Sequence, residues 1–175
     1  MRKKIFFTVL IVLVISMTVF PAETAKRNVC YHQVETFMED YYNAYNLYAQ
    51  DAATIDLMDE YWAPEFISIQ FLPLPQYPVF DLVTWKNFLV YVHLNLLETL
   101  TVQELSIDTR KLTAVARLSI NFNDRFSGVL VLHVDAIAFY NLKVEKKNKL
   151  KMTCLKLYFA DPEAVMAISG PPPGM

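Results

Sequence analysis

From Leu112 to Phe122 every second residue is apolar: Leu112, Ala114, Ala116, Leu118, Ile120 and Phe122 alternate with Thr113, Val115, Arg117, Ser119 and Asn121. Successive side chains of a strand leave on opposite faces, so a period of two demands a sheet with one buried side. Gly128 opens a second such strand to about Lys143, with Leu130, Leu132, Val134, Ala136, Ala138, Tyr140 and Leu142 as its core set, and Leu150–Ala160 makes a third. Upstream the period changes. Val34, Phe37, Met38, Tyr41, Tyr45 and Tyr48 keep helical spacing, while Glu35, Glu39 and Asp40 fall off that stripe. Helices first and a meandering sheet afterwards predict an α+β domain, a curved antiparallel sheet packed on N-terminal helices. In its strongly curved form such a sheet wraps a long helix and leaves a conical cavity at one end.

Between these halves, Thr54 is placed to cap a second helix that Pro64 stops, and Phe66–Phe71 reads as a strand. Pro73, Pro75 and Pro78 then prevent regular structure. Asp81 caps a third helix carrying Leu82, Trp85, Leu89, Val92 and Leu96 along one side. Asn123-Asp124 and Lys146-Lys147-Asn148 mark turns, and Asp161-Pro162 begins a short last helix through about Ile168.

The N-terminus has a different character. Arg2-Lys3-Lys4 precede sixteen largely apolar positions, Ile5 to Phe20, followed by Pro21-Ala22-Glu23-Thr24-Ala25. That is the layout of a secretory signal peptide, shorter than the roughly 20 residues of a membrane-spanning helix. Residues 1–25 are therefore expected to be a cleaved signal, 26–170 one domain and 171–175 a disordered tail, in a secreted or extracytoplasmic protein. Membrane attachment is expected only if the first segment stays uncleaved. Losing residues 1–25 removes three positive charges and one negative, taking the net charge from −2 to −4. A mildly acidic domain without a dense basic face is a poor nucleic-acid binder. In an oxidising compartment Cys30 and Cys154 permit one disulfide. Closing about 125 residues would stabilise on the order of 4–5 kcal/mol. Two unpaired thiols are the other reading.

Tyr41-Tyr42-Asn43-Ala44-Tyr45, then Tyr61-Trp62-Ala63-Pro64-Glu65-Phe66, and the ending Leu157-Tyr158-Phe159-Ala160-Asp161-Pro162 resemble the nuclear transport factor 2-like superfamily over about residues 33–168. The resemblance implies the cystatin-like cone fold of the SnoaL-like and limonene-epoxide hydrolase-like proteins. Pro73-Leu74-Pro75 after the first strand looks like the epoxide hydrolase branch, where an arginine between two carboxylates, with a tyrosine and an asparagine, holds the site. Laid on this chain, Arg117 matches the arginine. The carboxylate positions fall at Ser119 and Leu157, and the tyrosine and asparagine positions at Ile69 and Phe71. Epoxide hydrolysis needs a base and an acid facing each other across the ligand, and those are missing. A ketosteroid isomerase-like base is missing too, since Phe66–Phe71 contains no carboxylate.

Three residues remain as weak catalytic candidates: Arg117, His133 and Asp135. His133 and Asp135 leave the same strand face, yet the alternate apolar set claims the core and puts them outside, on a face suited to a homodimer contact. Strand parity sends Arg117 outward, whereas the family placement sends it into the cavity. Tyr41, Tyr45, Trp62, Phe66, Trp85 and Tyr158 are candidate walls of a ligand cavity, against a plain aromatic core. Three glycines and no phosphate-cradling loop give no cofactor site, and His32, His93 and His133 lack metal-ligand spacing. The expected function is a secreted, non-catalytic domain holding a small hydrophobic molecule or a protein partner in a greasy bowl without facing acids. A divergent isomerase, lyase or hydrolase is the alternative.

Overall fold

The first helix, α1 (Tyr31–Tyr48), buries Val34, Met38, Tyr41, Tyr42, Tyr45 and Tyr48, the predicted stripe with Tyr42 added and Phe37 only half-buried. The structure, a computed structural model, describes residues 29–70, 72 and 79–170. The expected signal segment, the interior of the proline-rich connection and the expected C-terminal tail lie outside the described residues.

After α1 comes a 3₁₀ segment, Ala52–Glu60, in place of the expected α-helix. Its cap is Asp51, whose side chain accepts from the Ala53 amide, so Thr54 sits inside the turn. Strand β1 (Trp62–Ile69) starts four residues before the expected position and runs through Pro64. A short β2 (Val79–Asp81) leads into α2 (Leu82–His93), and Asp81 caps it as expected by accepting from Thr84 N at 2.8 Å. The helix stops at His93, and Leu96 opens β3 (Leu96–Asp108) instead of continuing the helical stripe. Strands β4 (Thr113–Asp124), β5 (Leu130–Val144) and β6 (Leu150–Phe159) follow, then α3 (Pro162–Ser169) with Asp161 as its cap.

The six strands form one curved, unclosed sheet in the order β2-β1-β6-β5-β4-β3. All neighbours are antiparallel except β1 and β6, which run parallel, a departure from the expected meander. Strand parity holds along β4 and β5: Ala114, Ala116, Leu118, Ile120 and Phe122, with Val134, Ala136, Ala138 and Tyr140, are buried under the helices. This α+β cone is the fold class that the sequence predicts.

One side chain locks the base of the cone. Arg125, in the β4–β5 turn, donates to the backbone oxygens of His93, Gln50 and Ala49, each at 2.6 Å. These carbonyls end α2 and α1, where helices carry unpaired acceptors and partial negative charge. One guanidinium, with five donors in a rigid fork, thus satisfies two helix ends at once.

Both cysteines are free. Cys30 is exposed just ahead of α1 and Cys154 is half-buried in β6 opposite Ile67 of β1, so of the two readings the structure has the unpaired thiols. Burial pushes the Cys154 thiol above its usual range.

Candidate functional site

Under the helices the cone encloses a cavity of about 40 Å³. Its walls come from α1 (Tyr41, Tyr45), α2 (Trp85, Phe88, Leu89, Val92), the inner faces of β3 to β6, and α3 (Val165, Ser169). Gly170 ends α3 with φ +69° and ψ 174°, a conformation essentially reserved for glycine, and a Cβ there would lie 3.3 Å from the Tyr91 hydroxyl. The end of α3 is therefore set by a residue that few others could replace.

The cavity has a polar pole, contrary to the expectation of a bowl without acids. Glu98 on β3 follows the inward parity of Leu96 and Leu100 and is only 9% exposed. Its Oε2 accepts from the Tyr45 hydroxyl at 2.8 Å and lies 2.9 Å from His93 Nε2. His93 is fully buried, with its ring 5.0 Å from Tyr48 and 5.9 Å from Tyr45. Glu98 Oε2 accepts at both contacts, so His93 carries a hydrogen on Nε2, and His93 Nδ1 is buried without a partner. Among the described residues no hydrogen bond reaches Glu98 Oε1, and Glu98 is one of the residues lining the cavity. Nearby, Tyr42 donates to the Tyr140 hydroxyl at 2.8 Å. Burial raises the phenols of Tyr41, Tyr42, Tyr45, Tyr48 and Tyr140 well above their usual range, so all five stay neutral around neutral pH.

A second polar side chain lines the cavity: Gln70, 3% exposed, whose Oε1 is buried without a hydrogen-bond partner. No Lys or Arg appears among the described lining residues. Glu98 is thus the one carboxylate on a wall that is otherwise mostly aromatic and aliphatic, with Gln70 and Ser169 as neutral polar members.

Of the six aromatic residues expected to line a cavity, Tyr41, Tyr45 and Trp85 do so. Trp62 and Phe66 stack on each other at 5.3 Å, buried in the core away from the void. Tyr158 lies on the outer face, edge-on to Phe139 at 5.6 Å, because Leu157 and Phe159 take the inward parity of β6. The catalytic candidates also sit outside. Arg117 pairs with Glu104 at 3.2 Å on the exposed surface, as parity demanded and against its family placement. His133 contacts Asn121 Oδ1 at 2.7 Å and makes no hydrogen bond to Asp135 among the described residues, so they do not form a base and its orienter. No group of three metal-ligating side chains occurs among the described residues.

Sequence reasoning missed Glu98, Gln70 and His93. The available signal was parity: Leu96, Glu98 and Leu100 place a charge at an inward position, as Phe66, Ser68 and Gln70 place an amide. Carrying the α2 stripe through to Leu96 hid the first of these.

An α+β cone with a small cavity and one internal carboxylate on its wall is the architecture of this protein. Its fold is similar to that of solved nuclear transport factor 2-like proteins, SnoaL-like proteins among them. The BvnE pinacolase of Penicillium brevicompactum is similar with TM-score 0.63 at 11% identity, over 83% of this chain and 93% of that one. A candidate SnoaL-like polyketide cyclase from Jannaschia sp. CCS1 gives 0.59 at 15% identity, over 81% and 94%. An NTF2-like protein of unknown function from Shewanella baltica OS155 gives 0.52 at 16% identity, over 75% and 98%. At these identities the likeness is one of fold. Neither protein-family models nor curated protein sequences give a match to this chain.

Proposed function

We propose that this protein is an exported binding domain that holds a small, largely apolar molecule in its cone, and that a second copy pairs with the outer face of its sheet. The observation that carries the reading is the small cavity, walled by Tyr41, Trp85, Phe88, Leu118 and Ile120 with Glu98 as its one charged anchor. Binding sites are characteristically apolar with a few placed polar groups. For export, the basic and then apolar N-terminus supports the reading. Val131, Ile137 and Phe139, each between 42% and 45% exposed, support the dimer as an apolar strip on β5. Native mass spectrometry of the mature protein should show a retained small-molecule adduct, a dimer, or both. A bare monomer would count against the reading.

One observation favours a second reading, an isomerase, lyase or hydrolase. Glu98 oriented by His93 and Tyr45 has the arrangement of a general base, with Oε1 left without a donor among the described residues. In that case turnover of an epoxide and ketosteroid panel should vanish in Glu98→Gln yet survive Arg117→Ala and Asp135→Asn. Loss of turnover in the outer-face variants alone would refute Glu98 as the base.

A further inference from the structure

We infer that the ligand of this cavity is a compact alkylammonium cation, an inference that rests on the ligand-holding reading above and specifies its ligand class. Three features of the wall converge on it. The first is the sign of charge: Glu98 lines the void, and no Lys or Arg is among the described lining residues. A carboxylate at 9% exposure is costly to keep with an oxygen unpartnered, and its two protein donors, Tyr45 and His93, both serve Oε2. An ammonium N–H donating to Oε1 supplies the missing partner and the opposite charge together.

The second feature is the aromatic wall. Tyr41, Trp85, Phe88 and Tyr140 surround the void, and their ring faces carry the negative end of the quadrupole. A cation there is attracted by rings that a neutral alkyl group would meet only by dispersion. The Gln70 amide, buried and without a partner at Oε1, adds a further acceptor when its side chain turns toward the ligand. The third feature is size. A water needs roughly 10–15 Å³ of such space, so a void of about 40 Å³ suits about three to five non-hydrogen atoms. Trimethylammonium has four.

Titration calorimetry or amide chemical-shift mapping with trimethylammonium and with tert-butanol, a neutral molecule of similar shape, tests this on the mature protein at neutral pH. The expected result is that wild type binds trimethylammonium at least tenfold more tightly than tert-butanol. Glu98→Gln should erase that tenfold preference, the cation losing far more affinity than the alcohol. Should Glu98→Gln not fold, Phe88→Leu keeps the test open, because losing the ring face should weaken the cation several-fold more than the alcohol. If wild type binds tert-butanol as tightly as the cation, the ammonium inference fails while the ligand-holding reading stands. If neither enters the cavity at any accessible concentration, both fail.

Discussion

Raising the pH from 10 to 12 should unfold the protein cooperatively, with the phenolate absorbance near 295 nm rising in step with loss of the near-ultraviolet circular dichroism. Tyr41, Tyr42, Tyr45, Tyr48 and Tyr140 are each at most 4% exposed, and burial raises the pKa of every one above the ordinary value of 10.0. A phenol whose native pKa lies above its unfolded value stabilises the fold fully below the unfolded pKa. That contribution is lost as pH climbs toward the native value. Above pH 10 the unfolded chain has released these protons and the native chain still holds them, so stability falls with pH. Each such phenol contributes a slope of about 1.4 kcal/mol per pH unit, so five give about 7 kcal/mol per unit. Two units exceed the 5–15 kcal/mol typical of a whole domain at all but its upper end. Independent titration of these tyrosines near pH 10 with the fold intact would show that the cluster around α1 and β5 is open to water.

Breaking the buried pair should have the next largest effect. His93→Leu is expected to destabilise by about 3–5 kcal/mol in denaturant unfolding, because it strips a donor from a carboxylate that is almost out of water. Glu98→Leu alone should cost less, since it removes the charge and leaves the imidazole and the Tyr45 hydroxyl to be satisfied. The double variant His93→Leu/Glu98→Leu should therefore be more stable than His93→Leu, a non-additivity that a double-mutant cycle reads directly. Strict additivity would mean that the 2.9 Å contact between Nε2 and Oε2 carries no coupling. A buried pair of this kind is poor value for stability alone. Its position at the cavity wall fits a group kept for what it meets there.

Most of the frame is legible in the chain, and the reason is periodicity. The alternation from Leu112 to Phe122 assigns β4's two faces without any knowledge of its neighbours, and it places Arg117 outside correctly. The same logic along β5 puts His133 and Asp135 outside, where they are found. The aromatic assignments were less secure because ring content alone does not tell an inner face from an outer one. Tyr158 lies one residue from the inward Leu157, and a shift of one residue in a strand reverses its side. The proline after Ala63 likewise hid the start of β1, since local rules place Pro outside strands unless a bulge accommodates it. The register with β6 does shift between Trp62 and Ile67.

By itself, then, the order of residues determined the class of fold, the long helix stripe, the caps at Asp81 and Asp161 and the buried sides of β4 and β5. All of these follow from contacts within a few residues or from a repeat that local geometry enforces. Only the tertiary structure decided that β1 runs parallel to β6, that Arg125 reaches three carbonyls at two helix ends, and that Glu98 meets His93 and Tyr45 beside a void. Those pairings join residues as much as 90 positions apart, as Trp62 and Met152 are in the β1–β6 register. No local preference specifies such partners; they are selected when the sheet curves and the helices close over it.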